Sequence, residues 1–185
     1  IKSTYMIQHA DFVSLSTASY VHQYDVLKGL KKGGTFLLNT VWTDEQLDHH
    51  LPSRMKRYLA ENDIQFYTMN AVEIAGKAGL GRRINTAMQV GFFKLSQIMP
   101  FDDVFSILKK DAHDSYARKS MKIVEQNWQA MNLAVDGLHK VTIPADWATA
   151  KEPQAIEVGG EKVKKYVFQI VNNVNAQEGD NLSVG

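Results

Sequence analysis

The chain has 185 residues, of which 44% are hydrophobic and 22% charged, with a formal net charge of +1 and no cysteine. That balance is one of an ordinary globular domain with a sizeable core, and it gives no global electrostatic pull towards nucleic acid or a membrane surface. The missing cysteines exclude disulfides, cysteine-ligated zinc and any thiolate-held iron–sulfur cluster within these residues, and they are compatible with a cytoplasmic protein.

Residue 1 is Ile, and IKSTYMIQHADFV lacks a cationic head followed by an apolar core, so no signal peptide is expected. No apolar run is long enough to span a bilayer. The start without Met and the stop at GDNLSVG suggest a piece of a longer chain.

ADFVSLS (Ala10 to Ser16) reads as a strand: short, apolar, and rich in β-branched and aromatic residues. In YVHQYDVLKGL the apolar residues Tyr20, Val21, Tyr24, Leu27 and Leu30 have helical spacing, which predicts a helix. Lys31 and Lys32 suit its C-terminus, Gly33 and Gly34 stop it, and TFLLN is a buried strand. Asp44 to Glu61 is expected to be helical although Pro52 interrupts it, and IQFYTMN (Ile64 to Asn70) is a third strand. The second half reads as three helices, Arg83–Ile98, Phe101 to about Ala112 and Lys119 to about Leu138, the first two separated by Pro100. HKVTIP (His139 to Pro144) reads as a late strand. Beyond it KEPQAIEVGGEKVKKY and VNNVNAQEGDNLSVG have the composition of an appendage and linker. The predicted organisation is an α/β domain over residues 1–145, with a mainly parallel sheet covered by helices on both faces, and an extended appendage over 146–185.

Ligands of open parallel sheets bind beyond the carboxyl ends of the strands. Ser16, Thr17, Asn39, Thr40, Asn70 and Glu73 are expected to gather at that rim, either as ligand groups or as turn and cap residues. In AGKAGLGRRINTAMQ, Gly76, Gly79 and Gly81 permit positive φ, and Arg82 and Arg83 sit where a helix should begin. Free N–H groups, a helix dipole and guanidinium forks make an anion site, although the spacing is neither G-x-G-x-x-G nor the Walker pattern. A glycine-rich connector with solvated arginines is the competing reading. His49 and His50 diverge by about 100° on a helix and cannot jointly hold a metal. Asp102 and Asp103 most simply cap a helix. H-E-x-x-H and G-x-S-x-G are both absent, and no complete catalytic set is present.

ADFV…SYVHQYDVLKGLKKGGTFLLNT…W followed by AGLGRRINTAMQVGFFKLSQIMP resembles the central domain of pyruvate:ferredoxin (flavodoxin) oxidoreductases. That domain is equivalent to the γ subunit of multi-subunit 2-oxoacid:ferredoxin oxidoreductases. The likeness runs from about Tyr5 to Pro144, and the tail resembles the connector to the iron–sulfur domain except that Ser183 stands where the family usually has Pro. The resemblance implies a three-layer Rossmann-like domain whose first strand would precede Ile1. It also implies a parent enzyme that converts pyruvate and coenzyme A to acetyl-CoA and CO₂, uses thiamine diphosphate, Mg and iron–sulfur clusters held elsewhere, and passes electrons to ferredoxin or flavodoxin. The expected partners are other domains or subunits, with a homodimeric parent. The family pattern G-L-G-x-R-I-N falls on Gly79, Gly81, Arg83, Ile84 and Asn85, and the resemblance implies that Gly79, Gly81, Arg83 and Asn85 help bind coenzyme A. The alternatives are a purely structural interaction domain of the same enzyme, or an independent nucleotide-binding enzyme. The fragment alone is expected to be inactive.

Overall fold

The computed structural model describes residues 9–152; residues 153–185 of the expected appendage lie outside them. Strand β1 (Ala10–Leu15) leads through a single helical turn, α1 (Tyr20–Gln23), to β2 (Leu30–Asn39). Helices α2 (Asp44–His50) and α3 (Ser53–Glu61) connect it to β3 (Gln65–Met69). Then come α4 (Ala71–Lys77), α5 (Asn85–Ser96), α6 (Phe101–Tyr116), α7 (Met121–Asp136), the two-residue strand β4 (His139–Lys140) and a 3₁₀ turn over Ala145–Thr149. The sheet order is β1-β2-β3-β4, with the first three strands parallel and β4 antiparallel to β3. An α/β fold with a mainly parallel sheet is therefore what these residues form.

Alternation along β2 separates two cores. Phe36 and Leu38, with Phe66 of β3, face α1, α2, α3 and the buried Trp147 of the 3₁₀ turn. Leu37 and Met69 face α4 to α7. Right-handed crossovers between neighbouring parallel strands place α1, α2 and α3 on one face, which leaves the other to the later helices. The rings of Phe36 and Phe66 stack with centroids 5.3 Å apart. On the opposite face a Cβ at Gly91 of α5 would stand 2.9 Å from Leu37 Cδ2 and 3.0 Å from Met69 Cε, so the glycine lets this helix lie close against the sheet.

Three local expectations need correction. The helix predicted from Tyr20 to Leu30 lasts one turn, because Tyr24 is extended (φ −128°, ψ 155°) and Gly29 takes φ +86°. The apolar residues that suggested a helix, Val21, Leu27 and Leu30, are buried all the same, in a turn and a strand start. Lys31 to Gly34 are not a helix end: they bulge out of β2, where Ala10 pairs with Leu30 and Phe12 with Thr35, leaving Asp11 alone opposite the four. Gly33 (φ +73°) makes the bend, and a Cβ on Gly34 would meet Lys31 O at 2.8 Å and Asp11 O at 3.1 Å. Finally, Pro52 splits Asp44–Glu61 into two helices, since Leu51 before it is extended (φ −77°, ψ 134°) and Pro52, with no N–H to continue α2, caps the start of α3.

Candidate functional site

Asn39, the last residue of β2, ties together the chain ends beyond three strands. Its Nδ2 donates to Ser16 O (2.9 Å), past β1, and its Oδ1 accepts from Ala71 N (2.9 Å), at the start of α4. The side chain is buried. Thr40 Oγ1 accepts from Trp42 N at 3.1 Å, and Asn70 caps α4 by accepting from Glu73 N at 3.1 Å. Asn70 Nδ2 also donates to Glu73 Oε2 (2.9 Å). Thr43 and Gln46 form a reciprocal capping box on α2. Of the expected rim residues, Ser16, Asn39, Thr40, Asn70 and Glu73 thus do gather, but the side chains of Asn39, Thr40, Asn70 and Glu73 are bonded to the protein itself. Ser16 contributes its carbonyl.

Beside this hub lies a cleft of about 450 Å³, lined by Thr40, Trp42, Asp44, Thr68, Asn70 and His139 among others. His139 Nε2 is 2.8 Å from Asp44 Oδ1, and the Trp42 ring stacks on His50 with centroids 4.6 Å apart. The His139–Asp44 pair escapes sequence reasoning: its members are 95 residues apart, with no local spacing to join them. Among the described residues no group of three or more His, Cys, Asp or Glu is arranged to hold a metal.

The glycine loop is a different place. Leu80 N donates to Ala75 O (2.8 Å) and Gly79 N to Gly76 O (3.0 Å), the paired bonds of a Schellman ending to α4. Gly79, at φ +76°, is the left-handed residue that motif needs, and buried Leu80 packs with Ile74 and Ala75 in the same core. Gly81 also has positive φ (+64°), and a Cβ there would meet nothing within 4 Å. Arg82, Arg83 and Asn85 are exposed. Among the described residues neither arginine has a carboxylate within 4.0 Å, and α5 begins at Asn85 with no side chain capping it.

The loop and the rim are held apart. Bonds from Thr86 Oγ1 to Asn127 Oδ1 (2.8 Å) and from Lys94 Nζ to Val135 O (2.8 Å) run α5 parallel to α7. A Cβ on Gly79 would touch Gln126, whereas Gly137 lines the rim cleft. At 1.5 Å per residue those two points are about 16 Å apart along α7. The structure therefore does not bring Gly79, Gly81, Arg83 and Asn85 to the carboxyl ends of the strands.

An open, mainly parallel sheet with helices on both faces defines an α/β domain of the doubly wound kind. The sequence matches the family described as pyruvate ferredoxin/flavodoxin oxidoreductase over residues 1–137. The chain belongs to that family. It is 47% identical over 184 residues to a pyruvate-flavodoxin oxidoreductase of Klebsiella pneumoniae and 38% identical to a pyruvate:ferredoxin oxidoreductase of Moorella thermoacetica. In both comparisons all of this chain is matched, but it spans only 16% of the relative's length. A pyruvate dehydrogenase [NADP(+)] of Cryptosporidium parvum is 34% identical, and there the chain spans 11%. Among solved structures, pyruvate oxidoreductase subunit PORC of Thermotoga maritima has the same fold, with a TM-score of 0.58 at 16% identity over 72% of this chain and 66% of that one.

Proposed function

We propose that these residues are the central, γ-type domain of an enzyme that oxidatively decarboxylates pyruvate with coenzyme A, and that the Gly79–Asn85 loop contacts the phosphates of coenzyme A. What supports the contact is the exposed pair Arg82 and Arg83 beside the uncapped start of α5, with no carboxylate among the described residues close enough to neutralise them. A 3′-phosphate or diphosphate would accept from the guanidinium of Arg83 and from the free N–H groups of the first turn, and Asn85 supplies an amide donor at the same end. Gly81 leaves open space for that approach. Gly79 acts one step back, by ending α4 so that the loop turns at that point.

The chain's role in the reaction is to bind and to pack. Without cysteine these residues cannot hold thiolate-bound iron–sulfur clusters. The electron path to ferredoxin or flavodoxin and the carbanion chemistry belong to the rest of a homodimeric enzyme, to whose subunit and domain packing this domain contributes, and the isolated 185 residues are expected to have no turnover. A purely structural role for the loop is the second reading, favoured by the Schellman bonds that already account for Gly79.

In the intact enzyme, Arg83→Ala and Asn85→Ala should raise the KM for coenzyme A and weaken its calorimetric affinity by about tenfold each, the worth of one charge-assisted hydrogen bond. The decarboxylation half-reaction without coenzyme A should be unchanged. Unaltered affinity in both variants would leave the loop a structural element.

A further inference from the structure

We propose that Lys122, in the first turn of α7, is a further cation of the phosphate site at the Gly79–Asn85 loop, and that it holds the 3′-phosphate of coenzyme A while the loop takes the diphosphate. This rests on the coenzyme A contact proposed above and deepens it. The loop lies against α7: a Cβ on Gly79 would stand 2.5 Å from Gln126 Nε2, and Thr86 Oγ1 donates to Asn127 Oδ1 at 2.8 Å. Lys122 is exposed and precedes Gln126 by four residues. That spacing puts it on the same stripe of α7 as the residue Gly79 touches, about 6 Å nearer the helix start.

The charges here run against the helix dipoles. Helices α2, α4 and α6 each carry acids in the first turn, as a dipole favours: Asp44 and Glu45, Glu73, and Asp102 and Asp103. Helices α5 and α7 run parallel, so their N-termini point the same way, and neither has an acid in its first turn or a side-chain cap. Lys122 instead meets the positive end of α7, and Arg83 stands just ahead of α5. None of Arg82, Arg83 and Lys122 belongs to an ion pair among the described residues; even Glu125, three positions on from Lys122, is not within 4.0 Å of it. Cations set against two parallel dipoles without carboxylates destabilise the fold, and a multiply charged anion between them offsets that cost. The two positions suit different phosphates. Beside Gly81 the open space admits a diphosphate in mid-chain to backbone N–H groups and a planar guanidinium, whereas an ammonium on a flexible stem is a point charge that suits a terminal monoester.

The test titrates the intact enzyme by calorimetry with coenzyme A and with 3′-dephospho-coenzyme A. Lys122→Gln should weaken coenzyme A about tenfold, the worth of one charge-assisted hydrogen bond, and leave the dephospho ligand unchanged. Lys122→Arg should keep most of the wild-type preference between the two. Arg83→Ala should weaken both ligands alike, since both carry the diphosphate. Because the removed cation opposes the dipole of α7, Lys122→Gln should melt no lower than wild type, so its lost affinity is not lost fold. Unchanged coenzyme A affinity in Lys122→Gln overturns the proposal. So does an equal loss for both ligands, which would make Lys122 one contributor to a diffuse positive field. If Arg83→Ala weakens binding and Lys122→Gln does not, this inference fails alone. A selective loss in Lys122→Gln with Arg83→Ala unaffected keeps the Lys122 contact and refutes the loop contact.

Discussion

Replacing Asn39 with Ala should cost far more than the loss of one polar side chain suggests. The side chain is 7% exposed and holds Ser16 O and Ala71 N, each at 2.9 Å, on opposite sides of the rim. Truncation strands both backbone groups, one a carbonyl beyond β1 and one the N–H that opens α4. Each buried group left without a partner costs about 1–3 kcal/mol, so the sum is about 2–6 kcal/mol, the lower end applying if water reaches Ser16. For a chain of this size that lowers Tm by roughly 5–15 °C. Urea denaturation and calorimetric melting of wild type and Asn39→Ala measure it directly. Native-state hydrogen exchange should also show faster exchange confined to the first turn of α4 and the end of β1. A loss below about 0.5 kcal/mol with an unchanged m-value would refute the idea that one amide pins the three strand ends.

Two glycine substitutions should separate by what the new methyl group meets. In Gly34→Ala it faces two backbone oxygens, Lys31 O at 2.8 Å and Asp11 O at 3.1 Å, neither of which moves without breaking the bulge. In Gly91→Ala it faces only side-chain ends, those of Leu37, Met69 and Leu138. The first should cost about 2–3 kcal/mol and the second about 1 kcal/mol in urea midpoints, and the reverse order would contradict the packing described. Asp48 gives a pH test: its carboxyl is held below the ordinary range first by the hydrogen bond from Lys56 and next by the Trp147 indole. A depressed carboxyl stabilises the fold above about pH 3.9 and loses that contribution as pH falls through its folded value. Asp48→Asn should therefore be less stable than wild type at pH 7, by no more than about 1 kcal/mol because the carboxylate is half exposed, and the gap should be smaller at pH 3 than at pH 7. An equal gap at both pH values would exclude the ion pair as its cause.

Much of the architecture was legible because each layer writes its own period into the sequence. TFLLN is unbroken because both faces of β2 are covered, Phe36 and Leu38 by one set of helices and Leu37 by the other. Pro100 marks a helix start because a proline there has no N–H to leave unpaired. The stretch from Tyr20 to Gly34 was illegible because its shape depends on β1: Lys31 to Gly34 bulge only in relation to Asp11, which the local sequence does not reveal. Helix α4 carried a usable signal, Asn70 three residues before Glu73, but its seven residues include Val72, Ile74 and Gly76 and follow a strand directly, so propensity argued against it. At the rim, residue types alone announced polar groups without saying whether a ligand or the backbone would use them.

That last ambiguity decides how the domain divides its surfaces. In an open parallel sheet the carboxyl rim is the default place for a ligand, because connection lengths leave a crevice and free N–H groups there. Here Asn39, Asn70 and the Thr43–Gln46 box have consumed much of that capacity. The exposed arginines and the uncapped helix start follow Gly79, which lies beside Gln126 in the middle of α7, about 16 Å along the helix from the rim at Gly137. A self-sufficient enzyme would gain from placing both at one crevice. A domain working within a larger assembly has a different requirement: a separate charged corner left open to a phosphate-bearing substrate. The short helix α4, by ending in the Schellman turn at Gly79, is the element that separates the glycine loop from the rim.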